Sequence, residues 1–168
     1  LYLLSTSFTE IILIGGSILL GLPLPLVAVQ ILWINLFQDS FPAIALAFEP
    51  KEKELMNESP RKKDTPIIDS QMKILLLFIG IISPGLLIML VIASLKRFLP
   101  FYFSQTLVFA ALAVISMFVV LACRSLRQAF RYNLTQNPAL IGASLVSLGL
   151  LLSAIYWPPL QLLLQTQP

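Results

Sequence analysis

Two acidic side chains lie within long apolar runs of this sequence, where a charge is expensive. Glu10 falls in the run 1–22 and Asp39 in the run 26–48, and neither run contains a Lys or Arg. A charge at the centre of a bilayer costs at least about 2.5–3.5 kcal/mol. Each carboxyl group therefore needs a compensating partner or a water-filled cavity. A bound cation or a proton is the compensation that these runs leave open.

Amide side chains accompany the second carboxyl group. Asn35 and Asp39 are four residues apart and share a helix face, and Gln38 is adjacent to Asp39. Pro42 has no N–H to donate to the carbonyl of Gln38, so that backbone oxygen is freed. Asn35 alone could instead serve as an interhelical hydrogen-bonding residue. The cluster predicts several oxygen donors at one depth of the helix.

Hydroxyl groups accompany the first carboxyl group. Thr6 is four residues before Glu10, with Ser7 and Thr9 close by. Such Ser and Thr residues often only pack or bond to their own backbone. Oxygen donors without nitrogen or sulfur suit hard cations, and calcium takes six to eight of them. We therefore predict metal ligands among the following residues: Glu10, Asn35, Asp39, Gln38 and Ser7.

The elements that position these residues are predicted to be membrane-spanning helices. Of the 168 residues, 58% are hydrophobic and 11% are charged, whereas a soluble domain has about 25% charged residues. Spanning a bilayer takes about 20 apolar residues in a helix. The fold class is therefore predicted as all-α, a polytopic transmembrane helix bundle of about five spans, at about 1–22, 26–48, 72–95, 104–122 and 139–157.

The polar segment 49–70 is predicted to be a cytoplasmic loop. If it is cytoplasmic, the turn that follows the fourth span is too, and nine of the eleven Lys and Arg residues then lie inside. The opposite orientation would reverse this excess. We therefore expect an integral membrane protein whose first partner is the lipid bilayer.

Composition also excludes several classes of function. The chain has no His and one cysteine, Cys123, which excludes zinc-type His sites, His-based acid–base catalysis and an internal disulfide. The net charge of +3 is small, and the basic residues form no groove-like stripe. Nucleic acid is therefore not an expected partner.

Residues 1–70 resemble the fifth and sixth membrane helices of P-type cation-transporting ATPases and the loop that follows them. Calcium pumps of this family carry N-x-x-T-D-G-x-P in the sixth helix, and this chain has Asn35, Gln38, Asp39 and Pro42 in that register. The likeness extends to 5–10, 30–46, Phe48-Glu49-Pro50, Met56, Pro60-Arg61, Pro66-Ile67-Ile68 and Cys123-Arg124-Ser125.

The resemblance implies that Glu10, Asn35 and Asp39 are ion ligands in the transport domain of an ATP-driven pump. Gln38 stands where the family usually has Thr, and Ser7 where calcium pumps usually have Asn. Ser116 falls roughly where a Glu of the eighth helix contributes in some of them. These departures favour a single calcium-like site.

The chain contains no D-K-T-G-T or T-G-E-S motif and no nucleotide-binding domain. The resemblance therefore implies that ATP and Mg²⁺ bind to phosphorylation and nucleotide-binding domains outside this chain, which has no cofactor of its own. We expect the chain to cover the fifth to ninth helices of the family, truncated at both ends, in a bacterial plasma membrane.

Two other hypotheses fit the residues alone. One is a non-enzymatic membrane subunit or passive cation pathway that works without ATP. The other is a structural remnant whose carboxyl groups are protonated and packed. The first predicts that no catalytic domains are encoded upstream, and the second predicts that the purified protein binds no calcium.

Overall fold

The computed structural model describes residues 1–49, 70–124 and 137–168, and within these ranges all regular structure is helical. This confirms the predicted all-α class. A π-helical segment, Ile34–Asp39, separates α2 from α3. The helices are α1 Tyr2–Leu19, α2 Ala28–Trp33, α3 Ser40–Leu46, α4 Ser70–Lys96, α5 Phe101–Arg124, α6 Pro138–Tyr156 and α7 Pro158–Leu164.

Four of the described helices contain stretches long and apolar enough to cross a membrane: Tyr2–Leu19, Leu76–Lys96, Phe101–Cys123 and Pro138–Tyr156. The run 26–48, predicted as one regular span, instead forms α2, the π-helical segment and α3 in direct succession. The predicted cytoplasmic loop and the basic turn after α5 fall mainly on 50–69 and 125–136, outside the described residues.

The end of α1 follows from Gly21. The N–H of Leu22 donates to the carbonyl of Ser17, and the N–H of Gly21 donates to that of Ile18. This pair of hydrogen bonds needs a residue in the left-handed conformation just beyond the helix end. Gly21 is that residue, with φ +66°. Pro23 and Pro25 then prevent the helix from restarting before α2.

The start of α6 is fixed by Asn137. Its Oδ1 accepts a hydrogen bond from the N–H of Leu140 at 2.9 Å, which satisfies a donor that the helix itself leaves free. Its Nδ2 donates to the carbonyl of Ala45 at 3.2 Å and to Glu49 Oε2 at 2.7 Å. The cap therefore also attaches α6 to the end of α3.

The core lies where α1, α4 and α5 meet the helix formed by α2, the π-helical segment and α3. Its fully buried side chains include Leu13, Ile34, Leu87 and Phe109. α1 approaches α4 so closely that a Cβ on Gly16 would lie 2.9 Å from Cδ1 of Ile88. Close approach through small residues is typical of helix packing in membranes. α5 also contacts α1, α3 and the π-helical segment, so the predicted polar residues face the interior of the bundle.

Candidate cation site

The π-helical segment carries three of the predicted ligands, Asn35, Gln38 and Asp39. Its altered register changes the partners of two backbone carbonyls. The carbonyl of Asn35 accepts from Ser40 Oγ at 2.9 Å, and that of Gln38 accepts from Ser147 Oγ on α6 at 3.3 Å. Pro42 has no N–H to offer the Gln38 carbonyl. The π-helical segment is thus held partly by hydrogen bonds from side chains rather than by a regular backbone ladder alone.

Glu10 and Asn35 form a direct contact between α1 and the π-helical segment. The Nδ2 of Asn35 donates to Glu10 Oε1 at 3.1 Å and to Oε2 at 2.9 Å, and also to the carbonyl of Ile31 at 3.0 Å. Glu10 is 6% exposed, so this amide takes the place of water at both carboxylate oxygens. The Oδ1 of Asn35 accepts no hydrogen bond from the described residues.

Asp39 is fully buried and its two oxygens differ in their surroundings. Oδ1 accepts a hydrogen bond from Tyr2 Oη at 2.9 Å and another from Ser116 Oγ. The two hydroxyl groups also lie 2.9 Å from each other. Oδ2 has no hydrogen-bond partner in the described part of the chain. One oxygen of this carboxyl group is therefore anchored and the other is available.

Gln38 is also fully buried, and neither its Oε1 nor its Nε2 has a partner among the described residues. An unpaired buried amide costs about 1–3 kcal/mol. Ser7 is half-buried, and its hydroxyl forms no hydrogen bond with the described residues. Thr6 and Thr9 donate to the carbonyls of Leu3 and Ser5 on their own helix.

The arrangement brings Glu10, Asn35 and Asp39 to the interface between α1 and the π-helical segment. Asn35 bonds to Glu10, and Tyr2, on the same helix as Glu10, bonds to Asp39. Three side-chain oxygens have no donor among the described residues: Asn35 Oδ1, Gln38 Oε1 and Asp39 Oδ2. Within residues 1–49, 70–124 and 137–168 no cluster of three or more His, Cys, Asp or Glu occurs. A cation here would therefore be bound by a mixture of charged and neutral oxygens.

The sequence left a cation, a proton or a water-filled cavity as compensation for Asp39, and it did not predict the two hydroxyl partners. Tyr2 and Ser116 supply two hydroxyl donors instead. A signal for Tyr2 was present, since Tyr2, Thr6 and Glu10 recur every four residues and so occupy one face of α1. The resemblance singled out Ser116 by its position in the eighth helix, but not as a partner of Asp39.

Comparison with known proteins defines the class. The family described as "Cation transporting ATPase, C-terminus" matches residues 23–168. This chain therefore belongs to the C-terminal domain family of cation-transporting ATPases, which confirms the resemblance inferred from the sequence and the integral membrane location.

The individual relatives are calcium-transporting ATPases. The chain is 37% identical to the "Calcium-transporting ATPase" of Bacillus subtilis, over 98% of this chain and 19% of that protein. It is 32% identical to the human "Calcium-transporting ATPase type 2C member 1", over 98% of this chain and 18% of the relative. The chain thus spans less than a fifth of the length of these relatives.

Proposed function

We propose that this chain is the transport-domain portion of an ATP-driven calcium pump and that Glu10, Asn35 and Asp39 bind the transported ion. The observation that carries the proposal is the pair of buried carboxylates beside side-chain oxygens that have no hydrogen-bond donor in the described part of the chain. A divalent cation would compensate both charges and use those oxygens. Membership of the cation-transporting ATPase family and the names of the relatives support the same conclusion.

The donor set favours calcium over softer ions. All available groups are oxygens, and calcium accepts carboxylate, amide, hydroxyl and water oxygens together. Gln38 is adjacent to Asp39 in the sequence, and its Oε1 is a second proposed neutral ligand beside Asn35 Oδ1. The half-buried Ser7 hydroxyl is the most peripheral candidate. These groups are fewer than the six to eight that calcium takes, so water, backbone carbonyls or other parts of the complete protein supply the rest.

The residues also have distinct roles in the proposed site. Asn35 keeps its Nδ2 on Glu10, which directs its Oδ1 away from that carboxylate. It can therefore bind an ion through oxygen while continuing to orient Glu10. Asp39 presents Oδ2 from the opposite end of the π-helical segment. Ion binding would thus connect α1 to both ends of this segment.

The partners follow from the family. The lipid bilayer surrounds the bundle, and the large hydrophobic side chains left exposed on α4 and α5 fit this environment. Phosphorylation and nucleotide-binding domains in the rest of the parent protein would bind ATP and Mg²⁺ and drive transport. The Bacillus subtilis relative and the predicted excess of basic residues inside support a bacterial plasma membrane with segment 49–70 on the cytoplasmic side.

Calcium-dependent phosphorylation of the complete parent protein by ATP tests the proposal. Asp39→Asn keeps the shape of the side chain but removes its charge, so we expect half-maximal phosphorylation to need at least about tenfold more Ca²⁺, equivalent to about 1.4 kcal/mol. Glu49→Gln is the matched control, because it makes the same chemical change at the end of α3. If Asp39→Asn binds Ca²⁺ as the wild type does, the proposed site is wrong.

A further inference from the structure

Two hydroxyl groups from different helices meet one oxygen of a buried carboxyl group. Tyr2 on α1 and Ser116 on α5 both donate to Oδ1 of Asp39 and also contact each other. Tyr2 is 4% exposed and Ser116 is 2% exposed. Water cannot readily replace donors that are buried to this extent. The contact is therefore a built feature of the bundle interior.

We propose that Tyr2 and Ser116 are positioning residues that confine Asp39 to one-oxygen coordination and thereby set the size preference of the cation site. The inference rests on the proposed function, since it concerns the same ion. Neither hydroxyl group needs to touch the cation. Each acts through Asp39, by deciding which of its oxygens remains available.

The hydrogen bonds to Asp39 determine which of its two oxygens a cation can bind. A carboxylate oxygen offers about two lone-pair positions, and Oδ1 of Asp39 already accepts from two hydroxyl groups. Oδ2 accepts from none of the described residues. An approaching cation therefore meets one free oxygen. Two-oxygen coordination would require it to displace at least one of the two buried donors.

Coordination chemistry links the number of bound oxygens to the size of the cation. Calcium binds carboxylates through one oxygen or two, with six to eight ligands in total. Each additional oxygen raises the ligand number, and a higher ligand number suits a larger cation. Holding Asp39 to one oxygen therefore keeps the site small. Removal of the hydroxyl donors would free Oδ1 and enlarge the coordination shell.

Ser116 holds Asp39 from a second helix. Tyr2 reaches Asp39 from α1, the helix that carries Glu10, whereas Ser116 reaches it from α5. Asp39 is thus held from two sides, and its carboxyl group cannot rotate without losing at least one bond. A hydroxyl group on only one side would leave that rotation free.

The test compares two divalent cations of different size in the complete pump. Phosphorylation by ATP is measured against CaCl₂ and against SrCl₂ for Tyr2→Phe, Ser116→Ala and the double variant. We expect the half-saturating Sr²⁺ concentration to fall relative to that of Ca²⁺ by on the order of threefold to tenfold, because tenfold corresponds to one altered contact of about 1.4 kcal/mol. Ser116→Thr retains a hydroxyl group and should keep the wild-type ratio.

Two control variants remove hydroxyl groups elsewhere. Tyr102→Phe changes an exposed tyrosine, and Ser153→Ala removes a hydroxyl group that bonds to the carbonyl of Gly149 within α6. Both should keep the wild-type ratio. An unchanged ratio in Tyr2→Phe, Ser116→Ala and the double variant would overturn the inference, even if both ions bound more weakly. Absence of Ca²⁺-dependent phosphorylation in the wild type would instead overturn the proposed function.

Discussion

Replacing the amide of Gln38 by an apolar group should stabilise the ion-free protein. Gln38 is fully buried and both of its polar atoms lack partners among the described residues. Leaving a buried polar group unpaired costs about 1–3 kcal/mol. Gln38→Met keeps nearly the same length and flexibility while removing that cost. We therefore expect the free energy of unfolding without Ca²⁺ to rise by about 1–3 kcal/mol.

Calcium should stabilise the Gln38→Met variant less than it stabilises the wild type. At a concentration of 100 times its dissociation constant, a bound ion stabilises the wild type by about 2.7 kcal/mol. If Gln38 Oε1 is a ligand and its loss weakens binding tenfold, the same concentration stabilises the variant by only about 1.4 kcal/mol. The variant should thus gain stability without Ca²⁺ and respond less to its addition.

Gln30 provides a matched control for this measurement. It is equally buried, but its Nε2 donates to the carbonyl of Leu164 at 3.0 Å and its Oε1 accepts from the N–H of Val27 at 3.2 Å. Gln30→Met should therefore lose about 1–3 kcal/mol. Unfolding of the complete protein by sodium dodecyl sulfate in mixed micelles, with and without Ca²⁺, measures both variants. A loss of stability in Gln38→Met without Ca²⁺, as in Gln30→Met, would refute the reasoning.

Two further predictions concern the packing of the bundle. Gly16→Leu should destabilise the protein by about 1–3 kcal/mol through overpacking, because a Cβ there would lie 2.9 Å from Ile88 Cδ1. In thermal unfolding, adding Ile88→Ala should partly restore the stability. Gly15→Leu should have little effect, since a Cβ on Gly15 meets nothing within 4 Å. Asn137→Ala should lose about 1–2 kcal/mol, because it removes the cap of α6 and the bond to the carbonyl of Ala45; wild-type stability in the same assay would contradict this role for the cap.

The overall architecture could be predicted because membrane helices are strongly constrained. Backbone groups in lipid must be satisfied within their own segment, so long apolar runs read directly as helices. The pairs Pro23 with Pro25 and Asn137 with Pro138 mark where helices stop and start, and Asn137 does cap α6. The interruption in 26–48 could not be predicted to this extent. Pro42 indicated one freed carbonyl, but a change of register over Ile34–Asp39 depends on contacts from Ser147 and other helices.

The candidate site divides in the same way. Glu10 and Asp39 stand out in the sequence because their charges have no local partner, and the spacing of Asn35 and Asp39 follows helical periodicity. The contact between Asn35 and Glu10 joins two segments, so it required the packed structure. The contact of Ser116 with Asp39 also required it, because the resemblance marked the position of Ser116 without indicating the carboxyl group that it meets.

The π-helical segment interrupts the regular hydrogen-bond ladder of the helix that carries Asn35 and Asp39. In an α-helix each N–H bonds to the carbonyl four residues earlier, whereas in a π-helix it bonds to the carbonyl five residues earlier, so a change of register is an exchange of acceptors. Such an exchange would turn Asp39 relative to Asn35, and the missing N–H of Pro42 keeps the α register incomplete at Gln38. Glu10 stands instead on an uninterrupted helix. A cation bound as proposed would therefore lie between the regular helix α1 and a helix that the π-helical segment interrupts.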